Sequence, residues 1–418
     1  MKTISCFECK ASIPANSESC PECGFPQALS SNKQIIGVDS IEEERKRSFD
    51  LLRAKEEAER DTASANNERR RKADSRSKEI FQEIKTPKNI IEGLGMIGGA
   101  EGVGEFSAKK FFGGAKKPYS EEDIVNTLFV GTSSTTPSIN DVSTEYPQPW
   151  LFFRLITASI ILFYGFIYLF SQSSNPNYVP AIIFSGSFAI PLTTLVLFFE
   201  LNIRRNVPFW SVIRVLLAGS LLSFFFTQIL GSNTDFLLSP LGASSAALLE
   251  EPAKLIALII LTRGKRKYSY ILNGLLLGAA VGCGFGAFES AGYALNSLAS
   301  DGVDSMIYVI QLRGLLAPFM HIVWTAVAGA ALWRVQRGGA FYLGLFQKKE
   351  FYAPFGTMIL CHFIWNSGLL SPFPLFGGYI LIGIIAWIVA LSLVNLGLKQ
   401  IAEEKAGKQI FKTTREKS

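Results

Sequence analysis

Charge is scarce over most of this chain. Among residues 149–418 there are 20 Lys or Arg and 11 Asp or Glu in 270 positions, whereas a soluble globular domain carries about a quarter charged residues. That scarcity excludes a soluble domain for this part. The long apolar runs and the chain's 33 Phe point instead to a polytopic membrane protein. The first 25 residues lack an apolar core, so no cleavable signal peptide is expected. Histidine is nearly missing: His321 and His362 are the only two. Of six cysteines only Cys283 and Cys361 lie beyond the first 25 residues, and both read as small helix-packing residues and not as nucleophiles.

The other four, Cys6, Cys9, Cys20 and Cys23, form two Cys-x-x-Cys turns ten residues apart. Each turn presents two thiolates, and two such knuckles close a tetrahedral site, so a structural zinc held in a ribbon over residues 1–30 is expected. A pair of disulfides or a redox dithiol is the weaker reading. A metal here stabilises a module too short to bury a core of its own. Thiolate zinc also favours a reducing compartment, which places the N-terminus in the cytosol. The ribbon is a candidate recruiter of a protein partner. Residues 1–148 balance 21 basic against 24 acidic residues, so strong nucleic-acid binding is not expected. Residues 40–90 read as a charged helix, with opposite charges recurring three and four apart. Residues 91–148, rich in Gly, Ser and Thr, read as linker.

Beyond Pro149 eight apolar segments are each about long enough to cross a bilayer: 149–171, 178–200, 208–231, 240–262, 270–298, 310–334, 352–371 and 375–398. Loops holding Arg204 and Arg205, Arg263 to Lys267, and Arg334 to Lys349 alternate with loops that have no Lys or Arg. By the positive-inside rule, both termini are then cytosolic, with 399–418 a basic tail. The fold class expected is therefore an all-α polytopic membrane protein, integral and multi-pass, with 149–398 as its membrane domain.

A few ionisable residues fall inside these spans, where charge is expensive and usually functional. They are Glu250, Glu251 and Lys254 in the fourth, Glu289 in the fifth, His321 in the sixth and His362 in the seventh. Counting from the span ends at about 1.5 Å per residue, the three carboxylates and two imidazoles all lie roughly 14–17 Å below the outer surface. Lys254 follows Glu250 by four residues and Glu251 by three, so it can pair with either. Pro252 removes a helical hydrogen bond beside them. In the fifth span Gly274, Gly278, Gly282 and Gly286 make a smooth stripe for close helix approach, with Phe285, Glu289 and Tyr293 beside it. Carboxylate with imidazole activates water, either directly as general base or through a metal. The same groups serve a proton or ion relay in a transporter, and the layer's chemistry leaves these readings open.

These residues resemble a known family. Glu250-Glu251-Pro-Ala-Lys254 resembles the E-E-x-x-K motif of the PrsW intramembrane proteases, and Phe285-Gly-Ala-Phe-Glu289 their F-x-x-x-E motif. Arg313 with His321-Ile-Val-Trp-Thr, and then His362-Phe-Ile-Trp-Asn366, resemble the two later His motifs in the family's order. The related CAAX prenyl endopeptidases favour E-E-x-x-x-R and F-x-x-x-H, from which Lys254 and Glu289 depart, so a CAAX-type prenyl-protein endopeptidase is the runner-up reading within the group. The resemblance implies an intramembrane endopeptidase, glutamic or metallo in type, acting on a membrane-bound protein. In bacteria that would be an anti-sigma-factor-like substrate in the inner membrane. It implies Glu250 or Glu251 as the base. The neighbouring Glu, Glu289 and His321 would orient water or bind a catalytic zinc, and His362 and Asn366 would stabilise the oxyanion. Lys254 would keep a Glu ionised against the cost of burial. Arg313, nearer the outer surface, is read as structural.

Overall fold

In the computed structural model the described residues are 3–6, 9–14, 19–23, 87–99, 107–264, 268–370 and 376–408. The chain divides into two units, Met1–Lys85 and Thr86–Ser418.

In the first unit, β1 (Thr3–Ser5) and β2 (Ser12–Pro14) pair antiparallel, with Ile4 opposite Ile13. Cys6 follows β1 directly, and the turn back to β2 is held by Cys6 N–H donating to Ala11 O at 2.8 Å and Lys10 N–H donating to Cys6 O at 3.1 Å. Lys10 takes a left-handed φ of 59° to close it. The charged stretch 40–85 lies outside the described residues.

The second unit is helical: α1 (Pro87–Gly98), α2 (Glu121–Leu128), α3 (Leu151–Ser173), α4 (Tyr178–Leu201), α5 (Phe209–Leu238), α6 (Ser245–Thr262), α7 (Ile271–Asp301), α8 (Val303–Leu316), α9 (His321–Gln336), α10 (Lys349–Asn366) and α11 (Gly377–Lys405). It is an all-α, mostly membrane-embedded body with, among the described residues, six helical stretches long and apolar enough to cross a membrane, α8 and α9 counting as one. Of the eight spans expected, α6 and α10 are not among the six. Each has 18 residues; α6 carries Glu250, Glu251 and Lys254, and α10 opens on Lys349 and Glu350 and ends on Asn366. Site residues thus make α6 less apolar than the rest, and in α10 the charged pair at its start adds to His362 and Asn366.

Three expectations are corrected. The segment 310–334 is not one helix: the chain leaves helical geometry at Met320 (φ −112°, ψ −137°), just past Pro318, which has no N–H to continue a helical ladder. The segment 240–262 begins unwound over Ser239–Ser244, where Gly242 takes φ 56°. The linker 91–148 carries helical elements among its described residues, 91–99 and 107–148. It contributes most of α1, which packs on α11, and it contains α2, whose Ser120 and Asp123 form a reciprocal capping box. Its later part is tied down where Arg204 Nη1 donates to Pro137 O and Lys405 Nζ donates to Val142 O at 3.1 Å.

Helix α7 is the axis of the body, and α9 lies antiparallel against it. A Cβ at Gly274, Gly278 or Gly282 would strike the carbonyl oxygen of Gly329, Thr325 or His321 respectively. The glycine stripe therefore lets two backbones touch, as its spacing suggested. Glu200 at the end of α4 accepts the N–H groups of Trp150, Leu151 and Phe152 at 2.9, 3.0 and 2.8 Å, placing an anion at the start of α3.

Candidate active site

Four helices deliver the ionisable residues to one place. On α6, the three- and four-residue spacing sets Lys254 between its own two acids, with Nζ 2.8 Å from Glu251 Oε1 and 3.3 Å from Glu250 Oε2. The ammonium also lies 2.7 Å from His321 Nδ1 and 4.1 Å from the centre of the Phe285 ring. It is fully buried, and a buried ammonium is tolerated only when its protons are taken up in this way. The break at Met320 makes His321 the first residue of α9, and Gly282 beneath its carbonyl lets it approach α7.

Glu289 comes from α7, one turn beyond Phe285. Its Oε2 lies 2.9 Å from His321 Nε2 and also takes the Arg313 guanidinium. The Lys254 ammonium can only donate, so His321 Nδ1 accepts and Nε2–H donates to Glu289. From α10, His362 reaches Glu251 Oε1 through Nδ1 at 3.0 Å and packs its ring on Trp324 at 4.6 Å. A carboxylate cannot donate, so His362 Nδ1–H is the donor and Nε2 is left bare in the neutral ring. Glu250 Oε2 stands 3.9 Å from both His321 Nδ1 and His362 Nε2. Those gaps exceed a hydrogen bond but suit a water or a cation touching all three.

An open cleft of about 280 Å³ reaches this point, lined in part by Thr227, Ala243, Ser245, Glu250, Glu289, Arg313, His321, His362 and Asn366. Glu251 is 1% exposed and is not part of the lining. Asn366 closes α10 at the cleft's edge and donates to Ala243 O at 3.4 Å.

All seven residues singled out from sequence are thus brought to one site. Arg313, read as structural, also belongs to it, through Glu289 and through Nε donating to Ser290 Oγ at 3.1 Å. The unwound segment around Ala243 and the stacking role of Trp324 were not foreseen; Trp324 shares a face with His321 in sequence, but its partner His362 lies on another helix. Cys283 and Cys361 are buried packing residues, as expected.

The four N-terminal cysteines meet as well. Cys6 Sγ is 3.7 Å from Cys23 Sγ, and Cys9 Sγ is 3.6 Å from Cys20 Sγ. All four sulfurs lie within 4.8 Å of one another. A disulfide would bring sulfur to about 2 Å. A tetrahedron with metal–sulfur bonds of about 2.3 Å has edges of roughly 3.8 Å, so this cluster can coordinate a metal.

A buried set of two carboxylates, two imidazoles and a lysine, within a helical membrane body and open to a cleft, is the hydrolytic site of an intramembrane protease. Residues 207–394 match the family described as PrsW family intramembrane metalloprotease, and that stretch carries every member of the cluster. No curated protein and no solved structure matches the chain.

Proposed function

We propose that this protein is an intramembrane endopeptidase in which Glu250 is the general base. The observation that carries the assignment is the difference between the paired acids: Glu250 lines the cleft, 3.9 Å from two imidazole nitrogens, while Glu251 lies behind it, engaged by Lys254 and His362. A water seated between Glu250 Oε2 and His362 Nε2 gives its proton to Glu250 as its oxygen attacks the scissile carbonyl. Glu250 then passes that proton to the departing amine. Asn366 supplies a neutral N–H donor to the oxyanion. His362, expected as an oxyanion partner, is better suited through its bare Nε2 to hold the water. Lys254 pairs with both acids and offsets their charge. Arg313 and Glu289 fix His321.

The family description implies a metal, and the donors fit one. Glu250, His321 and His362 each offer a ligand atom within 4.8 Å of the others, a carboxylate and two imidazoles that suit zinc with an open position. A metal held by these three would supply Lewis-acid activation of water. Lys254 already engages His321 Nδ1 and would compete with the ion for that nitrogen.

The cleft lies at the ends of α5, α6, α7 and α10 that adjoin loops lacking Lys and Arg, which supports cutting on the outer side of the membrane, with eight crossings and cytosolic termini. The substrate is then a membrane-bound protein, and the four cysteines form a cytosolic zinc ribbon. The test compares new protein termini in membranes from cells making the wild type or Glu250→Gln. Cleavage sites that appear with the wild type should vanish in the variant, with insertion unchanged. Unaltered cleavage by Glu250→Gln, Glu251→Gln together would overturn the proposal.

A further inference from the structure

We infer that Arg214 on α5 binds the phosphate group of a phospholipid, in the leaflet at the Phe209 end of that helix. The outward stripe of α5 runs through Trp210, Leu217, Leu221 and Phe225, at 72%, 48%, 64% and 59% exposure. The intervals of seven, four and four residues leave one place between the first two, and Arg214 fills it. Of its guanidinium nitrogens, Nε and Nη2 are covered and have no hydrogen-bond partner. Arg214 also makes no ion pair with any described residue.

A guanidinium stays charged at any working pH and brings five donors. In hydrocarbon there is no water to take them, so an unpaired one needs an anion. No described acid pairs with Arg214. Between Asn202 and Leu277 the acids are Asp235, Glu250 and Glu251. Asp235 lies toward the far end of α5, and the other two belong to Lys254. Glu200 is committed to the start of α3. On the same side Asp141 and Glu145 share a hollow with Arg205, and Glu404 interacts with Tyr270 beside Arg204, while Arg263 and, in sequence, Lys265, Arg266 and Lys267 add further cations.

The depth fits a headgroup. Arg214 lies five residues from Phe209, about 7–8 Å along the axis. A long side chain reaches back that far, with its stem along the helix. Trp210, one turn nearer the end and largely exposed, sits where an interfacial aromatic sits. A phosphate oxygen there would meet Nη1, the guanidinium nitrogen that the protein does not cover, in a charge-assisted hydrogen bond.

The test uses full-length protein released from detergent and weighed intact, with retained phospholipids counted. The wild type and Leu217→Gln, which adds a polar group to the same stripe, should keep a phospholipid that Arg214→Gln loses several-fold. Arg214→Lys should fall between, and guards against a variant that fails to fold. In a second arm, delipidated protein is heated with added phospholipid or with inorganic phosphate. Phospholipid should raise the melting temperature of the wild type and not of Arg214→Gln, and inorganic phosphate should raise neither. Equal lipid retention by the wild type and Arg214→Gln, or equal protection by inorganic phosphate, would overturn the inference.

Discussion

Glu251 and His362 are 111 residues apart in the chain and 3.0 Å apart in space, with Nδ1–H of the imidazole donating to Oε1 of the carboxylate. That bond fixes the ring, leaves Nε2 toward Glu250, and ties α10 to α6. Paired carboxylate–imidazole contacts of this kind set the tautomer of a working histidine. The two acids of the E-E pair therefore differ in task. Glu251→Gln should lower the cleavage rate while also lowering the melting temperature, because the amide can no longer balance Lys254. Glu250→Gln should cost about 10²–10⁴ in rate with a smaller change in melting temperature. Rates and unfolding curves measured on the same preparations check this, and equal thermal losses would count against the division.

Replacing Lys254 with Met should be severe for stability. The substitution keeps the bulk of the side chain and removes the charge that faces Glu250, Glu251 and His321 Nδ1. Leaving buried acids uncompensated costs about 3–5 kcal/mol. Added zinc should restore part of the lost melting temperature, because the freed His321 nitrogen and Glu250 could then take a cation. A thermal shift with and without zinc reads the result.

Two glycines of α7 should respond in opposite ways to alanine. Gly282 faces the His321 carbonyl oxygen, so its Cβ would push α9 from α7, at roughly 1–3 kcal/mol. Cleavage should fall with it, since His321 opens α9. Gly292 has nothing within 4 Å, and Gly292→Ala should be neutral or up to about 1 kcal/mol stabilising. Melting temperatures of the two variants decide the matter.

The N-terminal cysteines should account for a zinc that is independent of the membrane site. Cys20→Ser, or removal of residues 1–30, should release it and leave the melting temperature of the helical unit unchanged. Metal analysis of the purified protein before and after truncation gives the readout. Zinc that survives the truncation and disappears with His321→Ala would identify the membrane site as a second holder.

Much of this was legible in order of residues. A helix has a fixed rise, so counting along α7 and α10 placed Glu289 and His362 at a like depth, whereas the counts for His321, Glu250 and Glu251 ran through the breaks at Met320 and Gly242. The same regularity made Lys254 the partner of its own helix's acids, and the four-residue glycine repeat a contact surface. Arg313 was not legible in that way. Its partner Glu289 lies on another helix, and the break at Met320 turns α8 so that depth counted along one continuous span loses its meaning.

Local sequence determined which residues are ionisable, which faces are smooth and which stretches suit lipid, because these depend on composition and on a period of 3.6 residues. Tertiary structure alone decided that Glu250 faces the cleft and Glu251 does not, that Trp324 stacks on the histidine of a neighbouring helix, and that Arg214 finds no acid among the described residues. Those outcomes depend on how helices rotate and unwind against one another, which is set by the packing of all of them together.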